Sequence, residues 1–234
     1  MTTPQSLTPI GKLATCYPEK FGIPRQAGLV KGAWAKLTLP NDTRHREAVV
    51  GLESFSHLWL IALFHKNINR EWKPRVRPPR LGGNRSVGVF ASRSPFRPNP
   101  IGLSVVEYRG MEVIGDQLEL HFGATDLLDG TPIIDIKPYI AEVDAVPHAN
   151  QGWLSEWPKL KVKWERTALK QLETTFAHLT HLKELIETSL CQDPRPAYHR
   201  GKKNNKTYGV NLDGANVHFK VDHQTVTVLE LEKA

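Results

Sequence analysis

Cysteine is scarce in this chain. Its two thiols, Cys16 and Cys191, stand far apart, each without a neighbouring Cys. That excludes a disulfide framework and a Cys-rich zinc site, and it suits a reducing compartment. Long apolar runs are missing too: the longest strongly apolar stretch, residues 57–64, falls far below the ~20 residues a membrane helix needs. Residues 1–10 carry neither a basic n-region nor an apolar h-region, so the expected location is the cytoplasm, off any membrane. There is no G-x-G-x-x-G after a strand, no Walker A loop, no H-E-x-x-H and no G-x-S-x-G. A Rossmann-type nucleotide site, a P-loop, a zincin and a nucleophile elbow therefore have no support. His178 and His181 share a helical face without an evident third ligand, so no metal site is expected.

What is present is a globular composition with a basic balance. The 234 residues are 40% hydrophobic and 24% charged, enough to bury a full-sized core. A formal net charge of +7 and a pI near 9.4 lean toward a polyanionic partner such as RNA, DNA or an acidic membrane surface.

Hydrophobic periodicity divides the chain in two. Ala33, Ala35, Leu37 and Leu39 alternate with Trp34, Lys36 and Thr38, the pattern of a half-buried strand. Residues 57–64 are apolar on both faces and predict a fully buried strand. Residues 86–92, 101–108 and 133–136 add more, and 111–114 with 118–122 flank Gly115-Asp116 as a hairpin. A short helix from Asp42-Thr43 would turn Ala48, Val49 and Leu52 inward. The fold class expected is mainly β, a single-sheeted β-barrel over residues 1–145. Residues 141–158 lack periodicity and read as a linker. Leu169, Leu172, Phe176 and Leu179, then Leu182, Leu185, Ile186 and Leu190, recur at helical spacing until the prolines at 194 and 196 stop them. Strands at 208–212, 217–221 and 226–231 complete a small α+β C-terminal domain over residues 160–234.

The most unusual segment is 72–102. It holds Arg75, Arg77, Arg80, Arg85, Arg93 and Arg97, six prolines, and no Asp or Glu. Prolines stiffen the loops, and guanidinium is a planar donor fork suited to carboxylate and phosphate. The same residues would also make an ordinary solvated basic face. Arg25 and Gln26 sit at the apex of a turn between Pro24 and Gly28, and Asp129-Gly130 is a strong turn dipeptide before Thr131 and Pro132. Taken alone, each of these is more often a plain hairpin turn. Near the end, Arg195, Tyr198, Arg200, Lys202, Lys203 and Lys206 interleave an aromatic ring with cations, which suits single-stranded RNA.

Arg-Pro-Pro-Arg-Leu-Gly-Gly-Asn at 77–84 and Ser-Pro-Phe-Arg-Pro-Asn-Pro-Ile-Gly at 94–102 are long and distinctive. With residues 21–31, 51–64, 126–139 and 192–198, they resemble the TsaA-like (YaeB/VirR) family of TrmO-type tRNA (adenine-N6)-methyltransferases. The resemblance implies a homodimer, S-adenosyl-L-methionine as methyl donor, and N6-threonylcarbamoyladenosine beside the anticodon of a tRNA as acceptor. It also implies cofactor contacts from Pro24, Arg25, Gln26, His65, Lys66, Arg93, Leu103, Asp129, Gly130, Thr131 and Pro132. Lys66 departs from a glutamine of the family pattern, so that contact is expected through the main chain, or the side chain faces RNA. RNA contacts are expected from Arg75, Arg77, Arg80, Arg85, Arg97, Arg195, Tyr198, Arg200, Lys202, Lys203 and Lys206.

Methyl transfer is an in-line displacement at a sulfonium carbon, so alignment and exclusion of water are the main demands. No residue announces itself as a general base; Asp129 and His65 are the candidates. Two other classes stay open on the residues alone: a non-catalytic RNA-binding barrel, and a methyltransferase of this fold with a different RNA or small-molecule acceptor.

Overall fold

In the computed structural model, which describes residues 6–154, 159–196, 199–200 and 206–234, the N-terminal strands close on themselves. The wall is built from β1 (Gly11–Thr15), β2 (Trp34–Pro40), β3 (His57–Leu63), β6 (Ile101–Ile114), β7 (Gln117–Gly123) and β8 (Thr131–Pro138). Their order around the barrel is β1-β2-β7-β6-β3-β8, and every pairing is antiparallel. A two-stranded ribbon of β4 (Arg75–Val76) and β5 (Val87–Gly88) lies in the long connection before β6.

Alternation drives the closure. Leu37 and Leu39 of β2, Leu58, Leu60 and Ala62 of β3, and Leu118, Leu120 and Phe122 of β7 all point inward and are fully or nearly fully buried. Burying each such leucine contributes about 1.5–3 kcal/mol. In β3 this corrects the expectation of burial on both faces: Trp59, Ile61 and Leu63 face outward and are only half-buried. β6 also merges two expected strands. It runs through Arg109 and Gly110 with a register shift between Tyr108 and Met111, and Gly110 adopts φ 101°, a left-handed conformation that favours glycine. β1, which the sequence pattern did not reveal, closes the seam between β2 and β8. Residues 86–92 form only the short β5 followed by a 3₁₀ turn over Val89–Ala91, because the prolines around them leave no long extended run.

The helix α1 (Thr43–Ala48) starts as expected, capped by the Asp42 side chain, which accepts from His45 N at 2.9 Å. Val49 is buried beyond it and Leu52 packs on the core, whereas Ala48 is exposed. The expected linker contains a helical turn, α2 (Ala141–Asp144), tied to the barrel by Trp59 Nε1 donating to Asp144 Oδ2 at 3.0 Å. Further along, Trp153 Nε1 donates to Ala91 O at 3.0 Å.

The C-terminal part holds β9 (Lys161–Trp164), α3 (Arg166–Thr174), α4 (Leu182–Leu190), β10 (Tyr208–Leu212), β11 (Ala215–Asp222) and β12 (Thr225–Lys233). The sheet order is β10-β11-β12-β9; β9, unread in the sequence, pairs parallel to β12. The periodic run 169–190 is two helices rather than one, with the chain turning between them at 175–181.

The C-terminal core is not made by that domain alone. Cys16, Tyr17, Val30 and Ala33, from around the β1–β2 loop, are buried in it beside Leu185, Ile186, Val210 and Phe219. Asp213 N donates to Cys16 O at 2.9 Å, and Thr188 Oγ1 to Lys31 O at 2.9 Å. At Gly32 (φ 73°) a Cβ would meet His181 O and Leu185 N, each at 2.9 Å, so the close approach of loop to helix requires glycine. One long loop thus belongs to both units. Among the described residues, no helix is long and apolar enough to cross a membrane.

Candidate active site

Up-and-down pairing decides which loops meet. β1, β7 and β3 end, and β2, β8 and β6 begin, at the same mouth of the barrel. The connections 16–33, 64–100 and 124–130 therefore cluster there. They carry the implied cofactor residues except Leu103 and the Thr131-Pro132 start of β8, which lie one to three residues inside adjoining strands.

The geometry binds several of these residues together. Arg93 Nη1 donates to Gln26 Oε1, and Gln26 Nε2 donates to the Arg25 carbonyl. Asp129 is stitched to β1: its Oδ1 accepts from Thr15 N at 2.9 Å, and its own N donates to Tyr17 O at 2.9 Å. Gly130 (φ 73°) donates to Leu13 O at 2.9 Å, and a Cβ there would meet nothing within 4 Å, so its backbone is open to a ligand. The Thr131 hydroxyl is buried and committed to Leu128 O at 2.5 Å. Pro132 lies opposite Lys12 in the β1–β8 ladder. Leu103 pairs with Ile61 on the outer face of the wall and is 56% exposed.

The electrostatics are one-sided. His65 opens a 3₁₀ turn over His65–Asn67; its pKa is lowered by burial and then by Lys66, Lys20 and Lys12. Lys20 is lowered by burial and by Arg70 and Lys66. Arg25 is exposed along part of its length, yet loss of water around its guanidinium and the nearby Arg80 lower its pKa. A mouth crowded with cations attracts a polyanion.

The carboxylate at the centre of this cluster is one the sequence did not single out. Asp126 Oδ1 accepts from Ser104 Oγ at 2.6 Å. Desolvation raises its pKa, only partly countered by the Ser104 hydroxyl, the backbone N–H groups of Asp126 and Ala27, and the charge of Arg93. Asp126 so links β6, the 16–33 loop and the 64–100 loop. The only signal in the sequence was the pair Asp126 and Asp129, with nothing to say which faces inward. Asn67 was also missed. It is 6% exposed, and its Nδ2 has no hydrogen-bond partner, although it adjoins His65 and Lys66.

The expected RNA contacts divide by role. Arg75 donates to Ser86 Oγ at 2.9 Å and to Ser86 O at 3.2 Å, and Arg97 donates to Ser92 O at 2.9 Å, so both brace their loop. Arg77 and Arg85 are exposed, and Arg80 lies near Arg25. Arg195 corrects its expectation. It is 3% exposed and donates from Nε and Nη2 to the two oxygens of Asp193 at 2.8 and 2.9 Å, a buried fork-to-fork pair rather than a surface contact. Arg200 is half-buried beside the same carboxylate at 3.6 Å, and Lys206 lies over the Tyr208 ring. Tyr198, Lys202 and Lys203 lie outside the described residues. His181 bonds Asp213 at 2.6 Å. Among the described residues, the group with metal-ligand chemistry is instead His218, Glu230 and Glu232 on the solvent face of the C-terminal sheet.

These features define a class: a small antiparallel barrel whose arginine-rich mouth is docked onto an α+β domain. The chain belongs to the tRNA-methyltransferase O family. The family's N-terminal domain matches residues 12–145 and its C-terminal domain residues 157–234. It is 44% identical over 225 residues to the tRNA (adenine(37)-N6)-methyltransferase of Escherichia coli K12, covering 95% of this chain and 96% of that protein. It is also 44% identical to a putative S-adenosylmethionine-dependent methyltransferase, RcsF, of Pseudomonas aeruginosa, covering 92% of this chain and 91% of that one. The crystal structure of TrmO from Pseudomonas aeruginosa superposes with a TM-score of 0.79 at 36% identity, covering 98% of this chain and all of that chain.

Proposed function

We propose that this chain transfers a methyl group from S-adenosylmethionine to N6 of adenine 37 in a tRNA, the reaction for which its Escherichia coli relative is named. The observation that carries the reading is the convergence of residues 24–26, 65–66, 93 and 129–130 on loops, with 131–132 at the start of β8, at one mouth of the barrel, where the Arg93–Gln26 bond and Asp126 tie the 16–33 and 64–100 loops together. Three features fit an adenosyl amino acid: the open backbone at Gly130, the exposed apolar face at Leu103, and the buried, unpartnered amide of Asn67.

S-adenosylmethionine supplies an electrophilic methyl group on a sulfonium. The chain's residues bind, orient and shield. Arg25, Gln26 and Arg93 present donors for a carboxylate, and residues 129–132 offer main-chain groups held rigid by β1. His65, with its pKa lowered, is neutral at physiological pH and able to accept a proton. Asp129 already spends one of its oxygens on Thr15 N. The acceptor implied by the resemblance is N6-threonylcarbamoyladenosine, whose carboxylate suits the cationic mouth.

The active form in this reading is a homodimer. Ile61 with Leu103, Leu63 with Ile101, and Trp59 with Val105 form an apolar strip on the outer wall. Such a strip, at an implied cofactor residue, favours a partner subunit completing the pocket. The place of action is the cytoplasm, whose reducing conditions suit two free thiols. The experiment is nucleoside mass spectrometry of tRNA from a deletion strain, with and without the restored gene. Loss and recovery of the N6-methyl mark support the reading, and an unchanged mark overturns it.

A further inference from the structure

At the arginine-rich mouth, two walls of different origin enclose a crevice. One is the loop from Lys20 to Arg25; the other is the turn after α4, with Asp193 and Pro194, backed by Ser189 from the last turn of the helix. The walls are held rigidly. Gly22 (φ 93°) lets the loop press against Val210 of β10, and Glu19 Oε1 accepts from Asn211 N at 3.0 Å. Asp193 turns with φ 50°, a left-handed conformation that aspartate tolerates. The enclosed volume is about 90 Å³, the size of a few waters rather than of a nucleobase.

The charge of this crevice is unusual. Lys20 and Arg25 line it, and among the described residues no carboxylate pairs with Arg25. The one acidic lining residue, Asp193, has both oxygens committed to Arg195, with Arg200 beside it. Four cations thus surround one spent carboxylate, and Ser189, buried as a residue, brings a hydroxyl without a hydrogen-bond partner next to Tyr17. Lost water, and then repulsion from Arg25 and Arg195 working against the attraction of Asp193, push the Arg200 pKa down to about 10, and lost water with the charge of Arg80 lowers that of Arg25. An incoming anion would relieve both.

We propose that this crevice binds a compact oxyanion carried by the RNA, either a carboxylate on a modified base or a backbone phosphate, and that the C-terminal domain is required because it supplies the second wall. The proposal rests on the tRNA-methyltransferase reading and deepens it. Arg25 belongs to the segment that also faces the methyl donor, so an anion seated here sits beside the reacting centre. A guanidinium fork, an ammonium and a hydroxyl match the acceptor geometry of either group.

The test uses the full-length protein, its Lys20→Gln and Ser189→Ala variants, and synthetic anticodon stem-loops. One stem-loop bears a carboxylate on the N6 side group and one the neutral carboxamide; a third set carries single methylphosphonates. Dissociation constants are measured by filter binding, and methyl transfer and calorimetry of S-adenosylmethionine run in parallel. For a carboxylate, the parent prefers the acid over the amide by about tenfold, and Lys20→Gln loses most of that preference. For a phosphate, one methylphosphonate position weakens the parent by a similar factor and leaves Lys20→Gln indifferent, with acid and amide equal. Equal binding of all RNAs by parent and variant overturns the proposal. Failure of the functional reading looks different: anion discrimination persists while no RNA is methylated.

Discussion

Ser104 Oγ donates to Asp126 Oδ1 at 2.6 Å, joining the start of β6 to the loop before β8 immediately beside the exposed Leu103. Through Ala27 and Arg93 the same carboxyl reaches the other two loops of the mouth. One part-buried aspartate therefore sets the spacing of side chains that lie far apart in sequence.

Asp126→Asn tests this as a positioning role. A carboxyl whose pKa is raised in the folded protein binds its proton more tightly there than in the unfolded chain. Its contribution to stability is full below the ordinary carboxylate value of 3.8 and is lost as pH rises through the folded value. Asparagine is neutral at every pH, so the melting temperature of the variant relative to the parent should climb as pH rises above the ordinary carboxylate value. S-adenosylmethionine affinity should fall several-fold, because the carboxyl that ties Ser104, Ala27 and Arg93 together is lost. A pH-independent gap in thermal melts, with unchanged affinity, contradicts the role.

The Asp193–Arg195 pair is a stability element. Removing Arg195 leaves the buried Asp193 carboxylate to the longer Arg200 contact at 3.6 Å, so Arg195→Ala should cost up to about 3–5 kcal/mol. For a chain of this size that is a drop of ~2–4 °C per kcal/mol in calorimetry. A shift within a degree would mean that the pair is not intact in solution.

Gly32→Ala tests the seam between barrel and C-terminal domain. The new methyl group meets backbone atoms of His181 and Leu185 at a positive φ, and the expected cost is roughly 1–3 kcal/mol by denaturant titration. An unperturbed midpoint would show that loop 16–33 is not docked on α4.

Arg77 and Arg85 should act on RNA through charge alone. Replacing both with alanine should weaken tRNA binding and flatten the salt dependence by about one unit per lost phosphate contact. Cofactor affinity should be unaffected, as measured by calorimetry. Arg75→Ala should act instead by loosening the hairpin it braces at Ser86.

Much of this fold was legible because period-2 alternation is a local signal: β2, β7 and the last three strands lie where the pattern placed them. β1 and β9 escaped it. β1 is five residues long, and only its alignment with β2 and β8 makes it a strand; β9 pairs parallel with a strand over 60 residues away. Loop chemistry was legible as composition, not as partnership. An arginine in a basic tract reads as an RNA contact whether it is exposed, like Arg77, or buried against an aspartate two residues away, like Arg195. Asp126 was hidden for the same reason, since burial depends on a loop a hundred positions earlier.

The most direct test of the central claim is transfer itself. The purified protein is incubated with unmethylated tRNA and S-adenosylmethionine carrying a labelled methyl group, and the nucleosides are resolved by mass spectrometry. The label should appear on N6 of the modified adenosine beside the anticodon, and Arg93→Ala should reduce it sharply. Label on another nucleoside, or none with correctly folded protein and substrate tRNA, would contradict the account.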